Sequence, residues 1–320
     1  MIEFILKVFR KIYINIFGKK YRGFFNTEKP EFNGQASSDL IYNVLKLDKP
    51  CMISRFGNTE FTCVYQYKVK NEPLLLRYKK FIIGDIDTLD YTLKIKQEIQ
   101  NNAGFFPASK KNLNKFSELI IAKIKNIDIL GSWLEVENKF NLELKNTRKV
   151  GLEDLNPYNH KIPWSRILKG KKVLVIHPFT KSIESQYKKR EKLFKNKEVL
   201  PEFNLITYKP VVSIIDNHKN LPFKDWFEAL SFMKKDIEKI DFDIAILGCG
   251  AYGLPLASYI KEIGKKAVHI GGSTQMLFGI LGKRWETEYD LSHIINENWV
   301  RPLEEEIPKN FKKIENGCYW

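Results

Sequence analysis

An α/β fold on a mainly parallel sheet, with helices on both faces, is predicted by three observations. The stretch from Asp243 to Gly272 runs as a β-branched strand (Ile244–Leu247), a glycine turn (Gly248, Gly250, Gly253), a helical pattern through Leu256, Tyr259, Ile260 and Ile263 stopped at Gly264, and a second apolar run, Ala267–Ile270, closed by Gly271 and Gly272. Connections this short between apolar strands belong to parallel α/β units. Two further strand-to-helix turns, at residues 54–60 and 177–182, repeat the pattern. The polar turns at 54–60, 177–182, 248–253 and 271–275 would then share the carboxyl edge of the sheet, where open α/β folds bind ligands.

The elements follow in order. Ile2, Ile5, Phe9, Ile12 and Ile16 share one helical face within residues 1–24, alongside Lys7, Arg10, Lys11, Lys19, Lys20 and Arg22 and the single acid Glu3. Lys7, Arg10 and Lys11 interrupt any membrane-spanning run, and Gly18-Lys19-Lys20 is no cleavage site. This basic amphipathic helix fits adsorption to an anionic membrane surface; packing on its own domain is the competing reading. Residues 25–38 are rich in turn formers and predict a linker, with the folded body at 39–290 in halves of about 39–150 and 165–290. A helix over 39–47 leads to the strand Cys51–Ser54 and the turn Arg55-Phe56-Gly57-Asn58-Thr59-Glu60. Asn58 there suits a helix N-cap and Glu60 a first-turn acid.

Residues 69–150 are lysine-rich and mostly helical by pattern. They hold an acidic group, Asp85, Asp87 and Asp90, that suits either a divalent cation or a helix start, a loop (Asn101–Pro107) with two aromatics expected at the surface, and a buried strand within Ile127–Trp133. A turn-rich segment, Gly151–Trp164, and a short helix at 165–169 lead to the strand Val173–Ile176. That strand delivers His177 to a helix over 182–195, where Lys181, Ser182, Lys188, Lys189 and Arg190 offer a diphosphate site; His177 suits a cap or the core as well as catalysis. Residues 211–217 predict a strand ending at Asp216, 223–239 an amphipathic helix, and 291–320 an irregular tail.

The balance of 53 Lys+Arg against 38 Asp+Glu, formally +15, suits phosphate-bearing substrates or anionic membranes; the scattered lysines predict no nucleic-acid groove. The four cysteines form no C-x-x-C pair and predict buried thiols in a reducing compartment. The glycine spacing suggests a dinucleotide site, but the acid needed some twenty residues later is replaced by His269-Ile270-Gly271-Gly272, so NAD is not expected. A turn that merely packs a helix tightly on the sheet is the structural alternative for these glycines.

Arg55-Phe56-Gly57-Asn58-Thr59-Glu60-Phe61 resembles the R-F-G-D-G-E motif of the GT-D-type bacterial glycosyltransferase domains. Leu247-Gly248 through Ile270-Gly271 resembles that family's second signature, over a span of roughly residues 45–285. Asn101–Pro107, the segment from His177 to Tyr187 and His269–Ile280 resemble a subgroup associated with surface polysaccharides. The resemblance implies a Rossmann-like domain that transfers a sugar from a nucleotide-sugar donor to a glycan or lipid-linked acceptor at the cytoplasmic membrane face. It implies nucleotide-sugar contacts from Arg55, Gly57, Lys181, Ser182, Arg190, Gly248, Gly250, Gly253, Gly271, Gly272, Thr274 and Gln275, and a metal-binding acid pair at Asn58 and Glu60. Asn in place of Asp at 58 removes one charge from the pair that would hold Mn²⁺ or Mg²⁺, although an amide oxygen still ligates either ion. Glu60, Asp85, Asp216 and His177 are the candidate general bases. Two other readings are an adenosyl-methionine-dependent methyltransferase, from the Leu247–Gly253 loop, and a non-catalytic protein that keeps the fold, from Asn58.

Overall fold

Among the described residues seven strands, all parallel, form one sheet: β1 (Cys51–Arg55), β2 (Ile129–Ser132), β3 (Arg148–Gly151), β4 (Lys172–Ile176), β5 (Asn204–Tyr208), β6 (Ile244–Leu247) and β7 (Lys266–His269). Their spatial order is β3-β2-β1-β7-β6-β4-β5. The computed structural model describes residues 2–18, 25–26, 29–215, 217–287, 291–309, 311 and 317–320. Because both sheet faces are covered, the inner strands β4, β6 and β7 are almost wholly apolar, whereas the edge strands β3 (RKVG) and β5 (NLITY) are mixed. Met52, Leu130, Leu174, Ile176, Ala245 and Leu247 enter one core, whereas Ile53, Ile129, Val173, Val175, Ile246 and Val268 enter the other.

The helices are α1 (Ile2–Phe17), α2 (Gln35–Lys46), α3 (Asn58–Lys70), α4 (Leu74–Ile82), α5 (Leu93–Asn101), α6 (Lys110–Ile124), α7 (Thr180–Tyr187), α8 (Arg190–Leu193), α9 (Trp226–Glu238), α10 (Gly253–Glu262), α11 (Ser273–Leu277) and α12 (Lys283–Thr287). Phe61 and Val64 of α3, Leu113 and Phe116 of α6, Trp226 and Met233 of α9, and Leu256 and Ile260 of α10 fill the first core. Ile41 and Leu45 of α2, Ile183 of α7 and Met276 of α11 fill the second. The α/β fold with helices on both faces is therefore present, N-terminal helix included. Strand order reverses between β4 and β6, where the following helices, α7 and α10, leave to opposite faces. That reversal opens a crevice beyond the strand ends, at His177 and Gly248.

Several local expectations change. Phe105 and Phe106 are buried rather than exposed, Phe105 against Phe116 and Trp226 at ring separations of 4.8 and 5.3 Å. The helix expected over 182–195 is two pieces, α7 and α8, interrupted at Lys188-Lys189. The strand expected at 211–217 lies at 204–208, where the run alternates beside β4; Pro210 follows, and 211–213 cross the sheet end as a loop. The stretch expected as a linker is tied down where it is described. Phe25 bridges Leu134, and Phe32 bridges Val150 on the outer side of edge strand β3. Gly34 N–H and Ser37 Oγ donate to Asp154 at 3.0 and 2.8 Å. The two expected halves share one sheet, because β7 lies between β6 and β1. In the irregular tail, Val300 pairs with Ile280 and the buried Trp299 donates its indole N–H to Leu193 O at 3.0 Å.

Candidate active site

A cavity of ≈ 840 Å³ opens at the carboxyl edge of the sheet. The ends of β1, β4, β6 and β7 wall it, together with the loops at 102–104 and 209–214 and the C-terminal segments at 305–308 and 319–320.

The turn after β1 supplies its most chemically distinctive wall. Phe56 and Phe61 stack at 3.9 Å, and Phe61 leans on Phe140, so the turn is pinned from the core side. Arg55 lies over the Trp133 ring at 5.0 Å and donates from Nε and Nη2 to Phe56 O at 3.0 and 2.7 Å. The N-cap position of α3 is Gly57, not Asn58, so the Asn58 amide is spared from capping and lines the cavity. Thr62 Oγ1 reaches Asn58 Oδ1 at 3.4 Å. Glu60 curls back over Gly57, where an added Cβ would lie 2.1 Å from its Oε2. Burial raises the Glu60 carboxyl above the usual carboxylate range, against the opposing pull of its own backbone N–H and the Arg55 guanidinium.

Two buried histidines also line the cavity. His177, at the end of β4, accepts the Phe179 N–H at Nδ1 (3.1 Å), so the neutral ring carries its proton on Nε2. Burial pushes its pKa down to about 3, and the accepted Phe179 N–H gives the ring the capping role that the sequence offered beside catalysis. His269 ends β7, where a dinucleotide fold would put an acid. Its Nδ1 meets Ser54 Oγ at 3.0 Å, and burial, then Arg55, lowers its pKa to about 3.

The glycines of the β6 turn make room for protein atoms. A Cβ on Gly248 would lie 2.5 Å from Gly271 O, 2.7 Å from Thr274 Oγ1 and 2.8 Å from the His177 ring. Gly250, at φ 56°, sits under Ala103 O, which also accepts Ala251 N–H at 3.0 Å. Gly253 admits the His269 ring, with Nε2 2.3 Å from the missing Cβ. Close packing of loop on loop thus accounts for the spacing. Gly248, Gly250, Gly271, Gly272 and Gln275 do border the cavity, whereas Gly253 and Thr274 stand behind it. Thr274 Oγ1 and Gln275 Oε1 are buried with no hydrogen-bond partner among the described residues, although Gln275 Nε2 donates to Ile280 O and Tyr319 O.

The expected diphosphate contacts on α7 are not brought to the cavity. Glu306 from the tail takes the helix N-terminus: its carboxylate accepts Lys181 N–H at 2.8 Å and both the N–H and Oγ of Ser182. Lys181 Nζ pairs with Glu305 at 2.9 Å. Arg190 starts α8, past the far end of α7, with Glu191 and Glu202 at 3.4 and 3.3 Å. A fold-back of Glu304–Glu306 leaves no local signal, so spacing alone could not reveal that this helix end is already capped. Arg284 supplies a cavity cation that the sequence reading missed, lying over the Tyr319 ring at 5.1 Å. Its only signal was a basic pair, Lys283-Arg284, beside Trp285. Trp133, Tyr319 and Trp320 line the cavity as well.

The acidic group at 85–90 belongs elsewhere. Asp87 pairs with Arg10 at 2.6 Å, Asp90 pairs with Lys110, and Asp85 N–H bonds Lys80 O at 2.7 Å at the end of α4. Thr92, not an Asp, caps α5. Asp216 lies outside the described residues. Among those residues no group of three or more His, Cys, Asp or Glu side chains is arranged to hold a metal. The turn after β1 offers the cavity two of its oxygen donors, Asn58 and Glu60, a set that fits Mg²⁺ held largely by water and substrate phosphate. Models of known protein families, curated proteins and solved structures contain no match to this chain.

Proposed function

We propose that the protein is a glycosyltransferase that moves a sugar from a nucleotide-sugar donor to a glycan or lipid-linked acceptor of bacterial surface polysaccharide or glycoconjugate synthesis. The observation that carries this reading is the convergence of Arg55, Asn58 and Glu60, from one turn, on a cavity of ≈ 840 Å³ at the carboxyl edge of a parallel sheet. The resemblance of that turn to the GT-D-type motif supplies the reaction class.

In the proposed reaction the Arg55 and Arg284 guanidiniums meet the donor diphosphate, and aromatic walls at Trp133 and Tyr319 suit the base and sugar rings. Glu60, with its raised affinity for a proton, takes the acceptor hydroxyl proton as that oxygen bonds the anomeric carbon. The bond from the anomeric carbon to phosphate oxygen breaks, and the nucleoside diphosphate leaves with the electron pair. His177, protonated on Nε2, serves as a neutral donor at the cavity wall. A divalent cation, when bound, would be held by the Asn58 amide oxygen, the donor phosphates and water and would neutralise diphosphate charge, which leaves the Glu60 carboxylate to the acceptor proton.

A thermal-shift panel of UDP-, GDP-, CMP- and dTDP-sugars, with and without Mn²⁺, beside NAD and adenosyl-methionine tests the reading. A ligand at 100 times its Kd adds about 2.7 kcal/mol of stability. A shift with one nucleotide-sugar, lost in Arg55→Ala, is expected. A shift with adenosyl-methionine alone would replace the transferase by a methyltransferase, and silence with every nucleotide-sugar would count against catalysis of this class.

A further inference from the structure

Helix α1 docks on the body through its less apolar side. Leu6 is buried beside α4, and Arg10 donates to Ile86 O at 2.7 Å, pairs with Asp87 and lies over the Phe81 ring at 4.9 Å. The face that sequence periodicity marks as apolar lies beside that contact and is left uncovered. Ile2, Ile5, Phe9, Ile12 and Ile16 are all exposed, and Phe4 and Phe17 next to them are 72% and 70% exposed. The helix beneath adds Leu74 and Leu76, both exposed, and Leu75 at 82%. One side of the N-terminal helix therefore packs on its own domain, while another presents a row of large apolar side chains to solvent. Single exposed apolar residues are ordinary, but a contiguous row marks a binding surface.

We infer that this row is a docking face for the interface of an anionic lipid bilayer, with α1 lying in the plane of the surface. At 16 residues α1 is about 24 Å long, and among the described residues no helix is long and apolar enough to cross a membrane. Charge selects the occupant. Lys11 is exposed on the same helix, Lys79 is exposed on α4, and Lys19, Lys20 and Arg22 follow in the sequence, on a chain of net charge +15. The one acid on α1, Glu3, is already paired with Lys7 at 2.9 Å. A second copy of the chain would bring two such basic margins together, whereas an anionic surface neutralises them while it covers the apolar row. The docked Arg10 fixes which side faces outward, so the body is held at a set orientation to the surface.

Co-sedimentation of the full chain with vesicles tests this, using phosphatidylcholine alone and phosphatidylcholine with phosphatidylglycerol. The mixed vesicles are expected to bind the protein at least tenfold more tightly than the neutral ones, with the difference shrinking at high salt. Ile5→Ser/Phe9→Ser/Ile12→Ser, all at solvent-facing positions, should keep the thermal unfolding profile and lose at least tenfold in affinity for the mixed vesicles. No binding to mixed vesicles, or full binding by the triple variant, would overturn the inference. So would a concentration-dependent dimer, seen by sedimentation velocity, that the triple variant abolishes while vesicle binding persists.

Discussion

Gly248→Ala separates two accounts of the glycine turn. If the glycine exists to let a phosphate approach, alanine should leave the empty protein as stable as before and weaken only the ligand. The structure predicts the reverse. The new Cβ starts 2.5 Å from Gly271 O, and an ordinary contact needs 3.4 Å, so that carbonyl must retreat by about 0.9 Å. The carbonyl cannot swing freely: it accepts Thr274 N–H at 3.0 Å, while Gly271 N–H is held by Leu247 O at 3.1 Å. Overpacking costs about 1–3 kcal/mol, and a strained backbone hydrogen bond about 1 kcal/mol more, giving roughly 2–4 kcal/mol. With about 2.1 cal/mol/K per residue over 320 residues, the unfolding entropy is roughly 0.7 kcal/mol/K, and the melting temperature should fall by about 3–6 °C. Gly57→Ala is the paired control. Its Cβ also collides, at 2.1 Å, but with the movable end of Glu60, and its φ of −79° accepts alanine. It should change stability by less than about 1 kcal/mol yet cost on the order of 10²-fold in transfer rate, because Glu60 is displaced. Ligand-free thermal and urea unfolding read the first effect and donor turnover the second. A Gly248→Ala protein as stable as the parent would refute the packing account.

Glu60→Gln should abolish transfer and keep the fold. Because burial raises the Glu60 pKa above its unfolded value, its contribution to stability is present at acid pH and lost as pH rises through the folded value, so the glutamine variant should melt higher at pH 8 and show no gain at pH 4. In the parent enzyme the same ionisation should make the transfer rate climb with pH through a midpoint above the ordinary carboxylate range, visible in a pH–rate profile. His177 and His269 act with opposite sign. Both pKa values fall to about 3, so the stability they confer is complete above about pH 6.5 and disappears as pH drops toward 3; at up to ~1.4 kcal/mol per pH unit each, urea midpoints should fall steeply below pH 6, and the slope should flatten in His177→Gln/His269→Gln. Arg55→Lys keeps the charge but loses the fork to Phe56 O and the stacking on Trp133, and should raise the donor KM about tenfold with a smaller change in kcat. Glu306→Ala should lower stability by about 1–2 kcal/mol in urea titrations, the usual worth of a helix N-terminal cap.

What was legible in the sequence was whatever depends on near neighbours. The apolar runs at 51–54, 173–176, 244–247 and 267–270, each followed by glycine or a polar turn, and the run within 127–133 announced five of the seven strands and the edge where the cavity opens. Arg55, Asn58 and Glu60 were visible for the same reason, since one turn holds all three. Contacts across long separations were not. Glu306 caps a helix 124 residues earlier, Arg284 reaches the cavity from α12 and Tyr319 from the tail, and Ala103 fills the hollow of Gly250. The aromatics at 105–106 followed a turn-rich local pattern, and only α6 and α9, folding over them, make them core.

The central position of β1 carries a consequence for how the chain comes to be folded. One of its neighbours, β2, is made soon after it, but the other is β7, with Cys51 registered against Lys266 some 215 residues later. A chain leaving the ribosome therefore exposes one open, uncharged strand edge, Cys51-Met52-Ile53-Ser54, through most of its synthesis, and an edge of that kind invites pairing with another chain. Such long-range parallel pairing makes folding slow. Removal of the last third of the protein would leave a half-sheet with its centre bare. Fragments ending before β7 should accumulate as aggregates, and heterologous production should improve when translation is slowed or a holdase chaperone is supplied.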